Sequence, residues 1–187
     1  LTSAVALYCT LLLTGLRIVV PPSSITNLPE KTTQILKRGA HSISGMILLT
    51  IVSGAFVAGL DAGMIYNTFP LMGGRLVPTD LRHPDKGLLA NIAENPTAAQ
   101  FTHRLLAVST VSAVSGYWFW ARRFRASLPK RIRAALDAMM VITWGQGTLG
   151  VLTLLYSVPI PLGSAHQCGS MATLTTSLYL MNIMRPV

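Results

Sequence analysis

Ala98-Ala99-Gln100-Phe101-Thr102-His103-Arg104-Leu105-Leu106-Ala107-Val108 opens a run that continues to Ala121, its only further polar groups being small hydroxyls and a closing Tyr117-Trp118-Phe119-Trp120. At 1.5 Å per residue such a run crosses a hydrocarbon layer of roughly 30 Å as a helix. Four other stretches match it in character: residues 1–20, 39–60, 134–156 and 163–183. Between them lie Pro21-Pro22-Ser23-Ser24, the long 61–97 segment, Leu128-Pro129-Lys130 and Pro159-Ile160-Pro161. Proline ends helices, and lipid tolerates no unsatisfied backbone, so these are boundaries. The expected fold is an all-α integral membrane protein. One transmembrane helix at 1–20 precedes a four-helix transmembrane bundle over 39–183, with a long outer loop at 61–97.

Composition supports this reading. Of 187 residues 51% are apolar and 11% charged, with a formal charge of +9, whereas soluble domains carry about 25% charged residues. There is too little polar surface to cover a globule. A nucleic-acid binder would spread this excess of base along a polar face, but here it sits in the connections. The 17–38 connection carries Arg17, Lys31, Lys37 and Arg38 against Glu30, a net of +3, and residues 122–133 carry six cations, a net of +6. The 61–97 loop is net −1, from Arg75, Arg82 and Lys86 against Asp61, Asp80, Asp85 and Glu94. The positive-inside rule sets the two basic connections and Arg185 on the matrix or cytoplasmic side and the 61–97 loop opposite, with Tyr117, Trp118 and Trp120 in an interfacial belt. The basic clusters thus read as topology determinants and lipid-headgroup contacts. The chain opens at Leu1 with no leader-like segment, which suggests a piece of a longer polytopic protein.

Cys9 and Cys168 lie in apolar stretches and define neither a disulfide framework nor a zinc site. Gly145-Gln146-Gly147-Thr148-Leu149-Gly150 has no strand before it and no lysine after it, so close helix packing explains it better than a nucleotide loop. Asp137 falls near the basic interface and receives no function.

Four histidines remain, and topology sorts them by depth. His103 and His166 open two parallel helices from the outer side and share a depth; His41 is at the inner end of its helix, and His83 is in the loop. A lone membrane histidine often only hydrogen-bonds across helices. Two at matched depth, with few other ionisable groups nearby, suit the faces of an iron porphyrin between helices. Arg104, as an intramembrane cation, is a functional candidate; it either pairs with a heme propionate or snorkels to the interface. Gln100 lies on a neighbouring face and can orient or hydrogen-bond but not act as a general base. The nearest carboxylates are Glu94 in the loop and Asp61 at the outer end of the second stretch. On chemistry alone this describes a b-type heme electron-transfer bundle.

The chain also resembles a known family, heme A synthase in its mitochondrial and proteobacterial branch. The resemblance rests on Gly54-Ala55-Phe56-Val57-Ala58-Gly59-Leu60-Asp61-Ala62-Gly63, continuing through Tyr66-Asn67-Thr68-Phe69-Pro70-Leu71-Met72-Gly73. It rests also on Glu94-Asn95-Pro96-Thr97, on Gln100-Phe101-Thr102-His103-Arg104 and on His166-Gln167. It implies eight membrane helices in two pseudo-symmetric halves, of which this chain is the second, preceded by the last helix of the first. The first half would oxidise a ring methyl of heme O to a formyl group, giving heme A for cytochrome oxidase. The second would hold heme b, with His103 and His166 as axial iron ligands and Arg104 and Gln100 beside them. The family's catalytic carboxylate belongs to a Glu-x-x-His-Arg motif of the first half; Gln100 stands at the matching position here. Residues 61–97 lack the cysteine pair found in some bacterial members. Asp61, Tyr66 and Asn67 belong to the signature, with loop folding the simplest role. Implied partners are membrane lipid, heme O synthase and an electron donor, with a homo-oligomer left open. The implied location is the mitochondrial inner membrane or, alternatively, a bacterial plasma membrane. A stand-alone heme-binding assembly subunit is the alternative function.

Overall fold

The computed structural model describes residues 2–186; Leu1, the expected start of the first stretch, lies outside them. Six α-helices follow in order: α1 (Thr2–Val19), α2 (Glu30–Gly59), α3 (Leu88–Glu94), α4 (Pro96–Ala121), α5 (Lys130–Leu155) and α6 (Ile160–Ile183). No strand occurs among the described residues, and short 3₁₀ turns fill Ala62–Met64 and Arg122–Ser127. The prolines act as expected. Pro29, Pro129 and Pro159 immediately precede α2, α5 and α6, and Pro96 is the first residue of α4. Asn95 caps α4 by accepting from the backbone N–H of Thr97 at 3.0 Å and of Ala98 at 3.4 Å, satisfying donors that a helix start leaves free.

The helices differ from the apolar stretches at their ends. α2 begins at Glu30 rather than residue 39, and α6 at Ile160 rather than 163. Polar turns such as Glu30-Lys31-Thr32-Thr33 continue a helix beyond the segment that apolarity marks. α1, α2 and α5 are long and apolar enough to cross a membrane. α4 and α6 have 26 and 24 residues, which is long enough at 1.5 Å per residue. They fall short in apolarity because they carry Gln100, His103, Arg104, His166, Gln167 and several hydroxyls.

α2 packs on α4, α4 on α5, α5 on α6 and α6 on α2, which closes a ring of four, while α1 lies against α6. Thr50 and Thr110 join α2 to α4 through their hydroxyls at 2.8 Å. One end of the ring gathers the basic connections. There Arg185 donates to the carbonyls of Arg17 and Val20, and Arg131 to that of Pro21. Arg125 forks onto Asp137 at 3.0 and 2.8 Å, and Trp118 Nε1 donates to the same carboxylate at 2.9 Å. Asp137 thus fastens the 3₁₀ link to α5. The other, outer end carries the 61–97 loop, where Asn67 donates to the carbonyls of Gly63 and Leu154 at 2.8 and 3.0 Å.

The apolar core fills only the basic half. Leu36, Ile43 and Ile47 of α2, Val114 of α4, Ile132 and Met139 of α5 and Leu174, Leu178 and Ile183 of α6 form one buried cluster. Outward of Ile47, Val114, Met139 and Leu174, the described residues of these four helices bury no apolar side chain larger than alanine. What they bury there is Ser53, Thr97, Ala98, Ala99, Gln100, Thr110, Thr143, Thr153 and Thr173.

Candidate functional site

α4 and α6 stand diagonally across the ring, and each brings one histidine into this half of small and polar buried side chains. His103 is the eighth residue of α4 and His166 the seventh of α6, about 10 Å below the outer helix ends. Both histidines are half-buried.

Each ring leans on a glycine of the helix with which its own helix pairs most extensively. A Cβ at Gly54 of α2 would stand 3.0 Å from Cε1 of His103, and a Cβ at Gly150 of α5 would stand 2.7 Å from Cε1 of His166. Each Nδ1 also has a partner on that helix. Ser53 Oγ lies 2.8 Å from Nδ1 of His103 and donates its own proton to the Thr50 carbonyl at 2.7 Å. The hydroxyl must therefore accept the ring N–H. A neutral His103 then carries its proton on Nδ1 and keeps a lone pair on Nε2, the form a metal requires. Gln146 Nε2 lies 3.0 Å from Nδ1 of His166 and 2.8 Å from the His166 carbonyl.

Arg104 and Gln100, expected beside the histidines, both reach the outer loop. Arg104 donates to the carbonyl of Tyr66 at 2.6 Å and of Thr68 at 2.7 Å, and Gln100 Nε2 donates to the Tyr66 carbonyl at 3.2 Å. Tyr66 in turn gives its hydroxyl proton to Asp80 at 2.7 Å, and Thr97 donates to the other Asp80 oxygen at 2.7 Å. These bonds tie the loop down over the outer end of α4. The hydroxyls of Thr97 and Tyr66 hold the Asp80 carboxyl below the ordinary carboxylate range, and the bond to Asp80 pushes the Tyr66 phenol up. Asp61 starts the Ala62–Met64 turn in the left-handed region at φ 50°, a conformation that aspartate tolerates better than most residues.

His41 is exposed and bonded to the Lys37 carbonyl at 2.7 Å, and His83 lies near Asp85 on the loop; neither approaches the pair. A cavity between α3 and α4, lined by Arg82, Leu88, Ile92 and Phe101, is on a different side of α4 from His103. Among the described residues no three His, Cys, Asp or Glu side chains cluster as a metal centre of protein ligands alone. A metal already held in a macrocycle needs only two.

The residues fit such a group in three respects: two imidazoles on diagonal helices, small and polar lining in place of a core, and buried polar atoms without partners. Gln100 Oε1, Arg104 Nε and Gln146 Oε1, all in this half, have none. Ser53, Gly54, Gln146 and Gly150 were not singled out from the sequence as site residues. The available signals are a polar residue or glycine inside an apolar helix, between one and three turns from its outer end.

A family model described as cytochrome oxidase assembly protein, COX15-CtaA, matches residues 1–178. The chain is 46% identical over 189 residues to human "Heme A synthase COX15", covering 100% of this chain and 44% of that protein. It is 39% identical over 210 residues to a "Heme A synthase-mitochondrial ferredoxin fusion protein" of Schizosaccharomyces pombe, covering 100% of this chain and 34% of that one. With "Heme A synthase" of Rhodospirillum centenum it shares 35% identity over 183 residues, 98% of this chain and 47% of the other. The chain thus spans less than half the length of the curated relatives it matches. No solved structure matches it. With the family pattern running through residues 1–178 and the relatives aligned along nearly all of it, the chain belongs to the COX15-CtaA family of cytochrome oxidase assembly proteins.

Proposed function

We propose that this chain is the C-terminal half of a heme A synthase, which oxidises a ring methyl of heme O to a formyl group, and that it holds a b-type heme between His103 and His166. The observation that carries this is the pair of imidazoles at one depth on diagonal helices, in the half where the described residues of the four helices bury only alanine, serine, threonine and Gln100. A heme bound there supplies a one-electron iron couple.

The chain's residues do the rest. His103 presents Nε2 because Ser53 holds its Nδ1–H. Arg104 and Gln100 fasten the loop over the outer end and shield the site from water. None of these side chains is a carboxylate, and the amide of Gln100 transfers no proton at neutral pH. Of the outer-loop carboxylates, Asp80 is committed to two hydroxyls and Glu94 to Lys86 at 2.7 Å. This equipment suits electron transfer, with the catalytic carboxylate and the heme O site in the other half. Five membrane spans, α1 plus the ring of four, and a mitochondrial inner membrane or bacterial plasma membrane accord with this reading. The fusion relative points to a ferredoxin as the electron donor, and heme O synthase would supply the substrate.

The test is a reduced-minus-oxidised spectrum of the purified full-length protein, with His103→Ala and His166→Ala beside it. A b-type band that each substitution diminishes or shifts is expected. No such band in the wild type, or a band that neither substitution alters, overturns the reading.

A further inference from the structure

We propose that the basic end of the seam between α4 and α5 binds an acidic phospholipid from the leaflet on that side, with Arg122 and Arg133 holding its headgroup phosphate. The sequence marks residues 122–133 as a diffuse basic segment, and the structure narrows it to a notch. Arg122, Arg125 and Arg133 line this notch together with Asp137, Trp118 and Leu136. Asp137 is spent on Arg125, which forks onto both of its oxygens, so two positive charges remain. Among the described residues no carboxylate pairs with Arg122 or Arg133. Arg122 is fixed nonetheless. Its guanidinium stands over the Trp118 ring, 4.6 Å from the centroid, an attraction that needs none of its N–H donors.

From the notch the seam runs outward, into membrane depth, as an open apolar surface. Arg133, Asp137, Val141 and Trp144 recur on one face of α5, and Val111, Ser115, Trp118 and Arg122 on one face of α4. Three contacts join the two stripes. Trp118 donates to Asp137 at 2.9 Å, Trp144 Nε1 donates to Ser115 Oγ at 3.1 Å, and a Cβ at Gly147 would stand 3.3 Å from Val111. The Gly145–Gly150 run, expected to serve helix packing, does so at this last point. Along the seam Val141 is 71% exposed and Trp144 53%; α1 lies against α6 and does not cover them. Trp144 follows Arg133 by 11 residues on α5, about 16 Å, close to half of a hydrocarbon layer of roughly 30 Å. Uncompensated cations at the interface with apolar surface one leaflet deep match a phosphate headgroup and its chains. Free phosphate uses only the notch, and an acidic peptide does not reach Val141 and Trp144 at that depth. Basic pockets between membrane helices on this side bind such headgroups.

Heme has no part in this site, so its test is separate from the one above. The purified full-length protein in detergent is titrated with phosphatidylglycerol and, separately, with phosphatidylcholine, and bound lipid is counted by native mass spectrometry. The wild type is expected to prefer phosphatidylglycerol. Arg122→Gln and Arg133→Gln should each weaken that binding about 10-fold. Arg123→Gln, an exposed cation of the same segment outside the notch, should change it less than about 2-fold. If Arg122→Gln fails to fold without its contact on Trp118, Arg133→Gln decides alone. In vesicles, phosphatidylglycerol with brominated chains should quench the emission that Trp144→Phe removes, and do so more than brominated phosphatidylcholine. Equal losses in Arg123→Gln and Arg133→Gln, or no loss in Arg133→Gln, overturn the notch. Displacement of the lipid by an equal concentration of inorganic phosphate makes this an anion site, and equal quenching by the two brominated lipids makes the seam unselective; either overturns the proposal. So does a change of oligomeric state in Arg133→Gln with lipid binding intact, which makes the seam a contact between copies.

Discussion

Replacing Gly150 by alanine sets a methyl 2.7 Å from Cε1 of His166, where carbon atoms rest at roughly 3.5–4.0 Å. The ring must retreat by about 1 Å. That retreat stretches the 3.0 Å contact from Gln146 to Nδ1 beyond hydrogen-bonding range. Overpacking of this kind costs about 1–3 kcal/mol, and the lost bond about 0.5–1.5 kcal/mol. Removing a glycine from the interior of a helix returns about 0.8–1.0 kcal/mol. The net expectation is a destabilisation of about 1–3 kcal/mol. Gly145 is the internal control. It sits in the same helix with nothing within 4 Å of its Cβ position, so alanine there collects only the helix term and stabilises by about 0.8–1.0 kcal/mol. Unfolding of both variants is measured in the same detergent or nanodisc, with heme retained after washing as the second readout. Gly150→Ala should melt below the wild type, Gly145→Ala above it, and only the former should lose heme. If Gly150→Ala melts with Gly145→Ala and keeps its heme, the histidine does not lie against α5 as described.

Three further outcomes concern the ends of the bundle. Asp80 has its folded pKa depressed, so its contribution is present above the unfolded value of about 3.9 and is lost as pH falls through the folded value. The raised Tyr66 phenol contributes below about 10 and loses its contribution as pH rises through its folded value. Protease protection of the 61–97 loop should therefore hold across neutral pH and fail in acid and in alkali. Asp80→Asn should abolish the acid release, and an unchanged acid limb in that variant refutes the linkage. Arg104→Lys loses the fork onto the Tyr66 and Thr68 carbonyls. A charged hydrogen bond contributes about 1.5–3 kcal/mol, and the partial exposure here argues for the low end, so nicking of the loop should rise several-fold under limited proteolysis. At the basic end, Asp137→Asn weakens a half-exposed ion pair and should cost at most about 1 kcal/mol. It should also change Trp118 fluorescence, since that indole donates to the lost carboxylate; identical emission would contradict the contact.

The histidine pair was legible in the sequence because depth in a membrane helix is a matter of counting. His103 and His166 follow their proline-marked helix starts by nearly the same number of residues. Helix ends were less legible. Apolarity reports the segment that suits lipid, while the helix of α2 runs on through Glu30 and Lys31, so the 39–60 stretch underestimates it. The partners of the histidines were not legible, because a serine or glutamine in an apolar helix gives no sign of which neighbour it faces. Ser53 meets His103, and Gln146 meets His166, only through the pairing of α2 with α4 and α5 with α6. Arg104 illustrates a different limit. Its two expected uses, a propionate or the interface, both ignored the backbone of a loop more than thirty residues away, which engages both of its terminal nitrogens.

The division of the bundle into a half with large apolar side chains and a half that buries only small and polar ones also bears on how this chain tolerates change over evolutionary time. Around Ile47, Val114, Met139 and Leu174, exchanges among leucine, isoleucine and methionine conserve volume and should drift freely. Around Ser53, Gly54, Gly150 and Gly169, almost any replacement adds atoms to space that is already assigned. Two kinds of molecular clock should therefore run within each of these helices, fast toward the basic end and slow toward the outer one, with the boundary a little over halfway along α2.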